Sequence, residues 1–223
     1  MSDLARKETT FITIADGISI KSSKSYLITK RIIDIIGALV ALLLFSFLFI
    51  IVAILIKVED PKGKILFSQI RIGKNGREFK MYKFRSMASD AEERLQELLN
   101  LNEVDGAMFK MKEDPRVTKI GKIIRKTSID ELPQLYNVLK GDMSLVGPRP
   151  PLPREVELYS KYDMQRLLVT PGCTGLWQVT KRNSVGFEEM VELDLEYIEK
   201  RTIAFDLIII MKTFKEVISS KAY

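Results

Sequence analysis

Apolar positions crowd into one stretch of this chain and recur periodically through the rest. Residues 1–25 mix Ser, Thr and Lys with scattered aliphatics and predict a weakly structured tail. Residues 35–56 carry no charge, 22 positions in succession. As a helix rising 1.5 Å per residue they would reach about 33 Å, enough for a bilayer core. A removed signal peptide does not fit, because the run begins late, is too long and lacks a small-residue cleavage site before Lys57. A membrane-inserted helix over residues 26–57 is the expectation.

Both flanks of the run are basic, with Lys21, Lys24, Lys30 and Arg31 before it and Lys57, Lys62, Lys64, Arg71 and Lys74 after it. Cationic flanks favour the cytoplasmic side, so a re-entrant helix hinged near Ser46 competes with a single span. No Pro or Gly follows Ala41 in the run, which argues against a hinge. The residues leave re-entrant and spanning topologies open. Arg31 and Asp34, three apart, are expected to pair on one helix face where the chain enters the membrane.

Residues 58–223 predict a cytoplasmic domain of α+β class, mostly helical. Residues 65–84 alternate around Gly73-Lys74-Asn75-Gly76, the pattern of a small β-hairpin. Ser89-Asp90-Ala91-Glu92 predicts a helix running to about Leu101. Residues 117–126 predict another, basic on one side, and residues 129–139 a third that Gly141 stops. Helices over residues 154–168 and 187–201 complete the domain, with Asp194-Leu195-Glu196 on a solvated face of the second. Residues 203–218 are amphipathic, interrupted by Asp206, Lys212, Lys215 and Glu216. They suit an interfacial amphipathic helix and a core helix equally.

Composition narrows the chemistry. The 223 residues include 35 basic and 29 acidic side chains, a formal charge of +6, and no histidine. Ser-His-Asp and Cys-His systems, histidine phosphotransfer and nearly every zinc enzyme are thereby removed. Carboxylates, Lys, Arg, Tyr or a hard metal held by oxygen remain. The single Cys173 cannot form an internal disulfide, and its Pro171-Gly172-Cys173-Thr174-Gly175 setting predicts a turn. No ladder of stacked aromatics and cations is present, so a nucleic-acid partner is not expected.

Against that background, Thr127-Ser128-Ile129-Asp130-Glu131-Leu132-Pro133 draws attention. Two adjacent carboxylates follow Arg125 and Lys126, where one acid could attack phosphorus, the other hold a metal, and the cations bind phosphate oxygens. Ser128-x-x-Glu131 is also a capping box, and acids favour the first turn of any helix. Both readings stand on this stretch alone.

Further motifs follow in order. Lys30-Arg31-x-x-Asp34 leads into the apolar run, then come Lys83-Phe84-Arg85-Ser86-Met87, Asp90-Ala91-Glu92, Asp114-Pro115-Arg116 and the acid-pair segment. Asn137-Val138-Leu139-Lys140-Gly141-Asp142-Met143-Ser144 runs on to Gly147-Pro148-Arg149-Pro150, and Gly175-Leu176-Trp177-Gln178 closes the set. Together, over roughly residues 26–223, they resemble the bacterial sugar transferase family, monotopic polyprenyl-phosphate phosphoglycosyl transferases.

The resemblance implies transfer of a sugar 1-phosphate from a UDP-sugar to polyprenyl (undecaprenyl) phosphate, releasing UMP, as the first membrane step of capsule, exopolysaccharide or O-antigen assembly. It implies Asp130 as nucleophile, Glu131 as ligand of Mg²⁺, and Arg125 and Arg149 as phosphate binders, with Lys83 and Arg85 as additions. Pro148 and Pro150 would stiffen the loop carrying Arg149. Asp142 and Trp177 fit a role in shaping the fold better than nucleotide binding. The family's re-entrant helix breaks at a Ser-Pro pair, whereas Ser46-Phe47 stands here. The implied location is the bacterial inner membrane with the catalytic domain on the cytoplasmic face, partnered by the lipid bilayer. A homo-oligomer is compatible with it. The competing activities are a membrane-anchored glycosyltransferase releasing UDP, disfavoured by the lack of a D-x-D, and a non-catalytic scaffold of polysaccharide assembly.

Overall fold

The computed structural model describes residues 24–98, 111, 114–180 and 186–218, and nearly all of the expected N-terminal tail lies outside them. Helix α1 spans Lys24–Leu44 and α2 spans Ser46–Glu59, bent by 60° against each other. No single helix among the described residues is long and apolar enough to cross a membrane. The bend falls at Phe45–Ser46 without Pro or Gly. Phe45 N–H still donates to Ala41 O and Phe49 N–H to Phe45 O, both at 2.9 Å. Around the bend Leu43, Leu44 and Phe47 are exposed at 75%, 72% and 71%, while Phe45 is half-buried.

Strands β1 (Leu66–Ile72) and β2 (Glu78–Phe84) form the expected antiparallel hairpin, in which Arg71 faces Phe79. Asn75 and Gly76 take the positive φ angles (56° and 77°) that its turn requires. Helix α3 covers Ala91–Leu98, the described part of the helix expected to reach Leu101. Helix α4 (Lys119–Lys126) begins at Thr118, whose hydroxyl accepts from Gly121 N–H at 2.9 Å.

The acid-bearing segment departs from the expected capped helix. Ile129–Glu131 is a single 3₁₀ turn, and α5 proper is Gln134–Lys140. Ser128 adopts the left-handed region at φ 56° and makes no cap bond, so the capping box is not formed. The chain must reverse after α4, and the left-handed residue supplies that reversal in place of a cap. Gly141 ends α5 at φ 87°, as its sequence predicts.

A parallel pair that alternation did not reveal follows. β3 (Ser144–Val146) and β4 (Gly172–Thr174) align Ser144 with Gly172 and Val146 with Thr174. Cys173 therefore lies in a strand and not in a turn. The helix expected over 154–168 is broken into α6 (Pro153–Val156) and a 3₁₀ segment Asp163–Leu168. Helices α7 (Leu176–Thr180), α8 (Phe187–Lys200) and α9 (Ile203–Ile218) finish a mostly helical architecture.

Asp194 corrects the solvated-face expectation. It is fully buried and faces Arg166, itself buried, with N–O distances of 2.6 and 2.8 Å, while its chain neighbour Glu196 pairs with Lys200 at the surface. Helix α9 packs into the domain on one side, as the core-helix alternative expects. Ile209 is buried in the core and Asp206 is buried between α1 and α8, while Leu207, Ile208, Met211 and Phe214 are exposed.

The bent helix pair is built into the domain. Ala38 of α1 packs with Phe79, Met81, Leu135, Val138 and Met143. Val52 and Ile56 of α2 pack with Phe84 and Ile124, and Ile120 and Ile129 lie against that cluster. Arg31 and Asp34 do not pair with each other. Arg31 donates to the carbonyls of Val138 (2.6 Å) and Leu139 (2.8 Å), while Asp34 accepts from Leu145 N–H (2.9 Å) and Ser144 Oγ (3.0 Å). Carbonyls of the last turn of α5, at the negative end of its dipole, and the Leu145 strand amide hold these charges more strongly than a neighbour on the same helix.

Candidate functional site

Three segments converge on a small recess. Strand β2 brings Met81 and Lys83, the 3₁₀ turn brings Glu131, and the Pro-rich loop brings Arg149 and Pro150. Hairpin register explains Lys83, because alternate residues share a face and Phe79, Met81 and Lys83 point inward together. Lys83 Nζ lies 2.6 Å from Glu131 Oε1.

Asp130 is buried beside it. Burial pushes its carboxyl up to about 6; Lys83 and Arg125 oppose the rise and Glu131 adds to it. Glu131 goes the other way. Burial acts to raise it, but Lys83 and Arg149, then the Lys83 hydrogen bond and Arg71, hold it down at about 2. Two neighbouring carboxyls are thus driven apart, the pattern of acids assigned different tasks.

Arg149 is held from behind. Pro148 O accepts from Gly172 N–H at 2.9 Å, Arg71 donates to Pro150 O at 3.0 Å, and Ile72 N–H donates to Pro151 O at 2.9 Å. Arg166 reaches Arg149 O at 3.4 Å while gripping Asp194 and the Tyr159 hydroxyl. At Gly172 the loop passes so closely that a Cβ would lie 2.0 Å from Gly147 N. The two prolines and this lattice of backbone bonds fix the loop before any ligand arrives.

The structure brings Glu131, Lys83, Arg149 and Pro150 together in the recess; Asp130 is buried next to Glu131 in the chain and does not itself line the recess, though the charges of Lys83 and Arg125 act on it. Pro148 supports the loop from outside the recess. Arg85 is elsewhere. Its guanidinium is bonded to the Asp60 carboxylate and, at 3.0 Å, to the Asp60 carbonyl, so it secures the end of α2. Ser46 sits at the bend, and Arg31 and Asp34 tie α1 to α5 and β3.

Arg71, Gln134 and Gln178 were not foreseen, yet they line the same recess. Arg71 was legible in principle, because the hairpin register opposes it to Phe79 on the face that carries Lys83. Its guanidinium is buried, and burial with Arg149 nearby pulls it down to about 10. Cys173 also lines the recess, where burial pushes its thiol far above the usual range and keeps it protonated. Asp142 bonds Lys140 and Asn137, and so belongs to the end of α5.

Among the described residues no group of three acids or thiols could cage an ion by itself. Glu131 offers hard oxygens to a recess lined with cations suited to phosphate. One carboxylate completed by phosphate oxygens and water is a usual way of holding Mg²⁺. The residues fit that mode.

Comparison with known proteins adds an independent line. Residues 25–220 match the family model described as bacterial sugar transferase. The chain is 52% identical over 197 residues to the galactosyl transferase CpsE of Streptococcus agalactiae serotype III (strain NEM316), covering 87% of this chain and 43% of that protein. It is 43% identical over 196 residues to the exopolysaccharide production protein ExoY of Rhizobium meliloti (strain 1021), covering 86% of each. It is 41% identical over 222 residues to an undecaprenyl-phosphate galactose phosphotransferase of Salmonella typhimurium (strain LT2), covering 98% of this chain and 46% of that protein. The chain thus spans less than half of the first and third relatives, and most of ExoY.

Proposed function

The chain belongs to the bacterial sugar transferase family, and we propose that it transfers a sugar 1-phosphate from a UDP-sugar to undecaprenyl phosphate, releasing UMP. The observation that carries this reading is the divided acid pair: Asp130 buried and raised, Glu131 held ionised among Lys83, Arg149 and Arg71. Names of relatives support the substrate class, since two carry undecaprenyl-phosphate and a sugar phosphotransferase activity in their names.

The chemistry proceeds in two displacements. An Asp130 carboxylate oxygen attacks the β-phosphorus of the UDP-sugar, and the bond from that phosphorus to the bridging oxygen breaks, its electron pair leaving with UMP. A phosphate oxygen of the lipid then attacks the same phosphorus, and the Asp130 carboxylate departs. A carboxylate ionised at neutral pH needs no histidine to activate it, which accords with a chain that has none. Splitting the transfer keeps the two anionic phosphates from approaching each other directly. Arg149 and Arg71 would hold the diphosphate oxygens, and Lys83 would share its charge between Glu131 and the phosphate. Glu131 would hold Mg²⁺, which when bound neutralises phosphate charge.

The membrane reading belongs here too. The α1–α2 pair would enter the bilayer at its exposed bend and return, leaving both ends with the domain on the cytoplasmic face of the inner membrane. The basic flanks and the exposed apolar apex support it. The exposed apolar residues of α9 would then rest in the interface.

The test is nucleotide release from a panel of UDP-sugars with undecaprenyl phosphate and Mg²⁺. UMP from one sugar supports the proposal. UDP would instead mark a glycosyltransferase that moves the sugar alone, and no nucleotide from any donor would mark a scaffold.

A further inference from the structure

We infer that Glu59, at the end of α2, is a positioning residue for the acid pair, so that the returning half of the membrane element is part of the active-site frame. The inference rests on the reading of Asp130 as nucleophile.

Glu59 reaches across to α4. Its Oε1 accepts from Lys119 N–H at 2.7 Å and its Oε2 from Ile120 N–H at 3.0 Å. With Thr118 Oγ1 taking Gly121 N–H, successive orphan amides of the first turn of α4 are satisfied, two of them by another element. From there the chain runs to the acids without slack. Ser128 N–H donates to Arg125 O at 3.1 Å and Glu131 N–H to Ser128 O at 3.2 Å. The same path is packed: Ile120, Ile124 and Ile129 lie in one cluster with Val52 and Ile56 of α2. Ile129 immediately precedes Asp130. A shift of α4 along its axis would therefore carry Arg125 and both acids with it.

The next residue does the matching task for the other side of the recess. The Asp60 carboxylate binds the Arg85 guanidinium and accepts from Gly63 and Ser89 N–H, both at 3.3 Å. Arg85 lies two residues beyond Lys83. Consecutive carboxylates at one helix end thus anchor the two segments whose side chains meet in the Lys83–Glu131 pair. An ordinary helix cap affects stability alone. A positioning carboxylate affects the geometry of the reacting group, for which displacements of about 1 Å can cost about a hundredfold in rate.

The experiment uses the full chain in lipid nanodiscs, with Glu59→Ala, Glu59→Gln and Asp60→Asn, and Val58→Ala as control because Val58 is exposed at the same helix end. Two readouts are taken: kcat and KM for UMP release, and hydrogen exchange of residues 128–132. For Glu59→Ala the expected result is a fall in kcat of roughly tenfold to a hundredfold with KM nearly unchanged. Exchange at 128–132 rises, and Glu59→Gln, which keeps one acceptor oxygen, lies between. If Glu59→Ala does not fold, Glu59→Gln and Asp60→Asn decide by the same readouts. The inference is overturned if the variants only lower the melting temperature while kcat per folded molecule and exchange match Val58→Ala. Exchange does not depend on turnover, so it judges Glu59 even if Asp130→Asn remains active and the nucleophile reading falls.

Discussion

Lys83 Nζ and Glu131 Oε1 lie 2.6 Å apart and join the inner face of the hairpin to the turn that carries the acids. This ion pair separates the tasks of two carboxyls that adjoin in sequence. The lysine favours ionisation of both, but only Glu131 receives its hydrogen bond, and Asp130 is left with the cost of burial.

A pH profile follows from that division. Asp130 must be ionised to attack phosphorus, and its value is raised to about 6, so its reactive form is lost as pH falls through about 6. Glu131, held near 2, stays ionised over that range. We predict an acid limb of kcat/KM centred near pH 6. Lys83→Met should move it upward, because the charge that opposes the rise is gone. A limb near pH 4 in the unaltered protein would sink the burial argument.

Asp130→Asn should lower UMP release by roughly 10³-fold or more, as loss of a nucleophile does. Incubated with UDP-sugar in the absence of lipid acceptor, the unaltered protein should gain the mass of one sugar phosphate, and the variant none. Intact-protein mass spectrometry reads this directly. Retained turnover in Asp130→Asn would end the covalent mechanism.

Arg149 and Arg85, two of the arginines singled out with the acids, should separate by their effects. Arg149→Ala should raise KM for UDP-sugar about tenfold or more, in line with loss of a charge-assisted bond to phosphate. Arg85→Ala should leave KM unchanged and lower thermal stability, since its partner is Asp60. Steady-state kinetics beside thermal melts distinguish them, and equal KM effects would contradict the assignment.

Asp194→Ala strands the Arg166 guanidinium in the core and should cost about 3–5 kcal/mol in denaturant unfolding. Replacing both partners, as Arg166→Met with Asp194→Leu, should cost less than the single change. Equal or additive losses would show that the pair is not the unit that matters.

The members of the recess were legible because Glu131, Lys83 and Arg149 sit in the motifs that carry the family resemblance, as Asp130 does, and hairpin alternation sent Lys83 inward. Most of the misses have a common cause, a partner distant in sequence. Arg31 and Asp34 looked like a helix-face pair until the end of α5 and β3 came within reach. Asp194 looked solvated because Arg166, 28 residues away, is not visible in helical periodicity. The strands β3 and β4 are three residues each, too short for alternation to register, and join across a loop. Ser128 was read as a cap because its residue type suits one, whereas its left-handed backbone is set by the turn toward α5.

The shared cores of the bent helices and the domain carry a consequence for biogenesis. Residues 24–59 leave the ribosome before any strand of the hairpin exists, and they hold Ala38, Val52 and Ile56, which two later clusters need. The bent helix pair would thus act as a template on which the following polypeptide condenses, and not as a tether added to a finished globule. A chain truncated to begin at residue 60 should emerge with those cavities open and precipitate. Supplying residues 24–59 as a separate peptide already in vesicles should recover it, which makes order of synthesis and order of assembly one sequence of events.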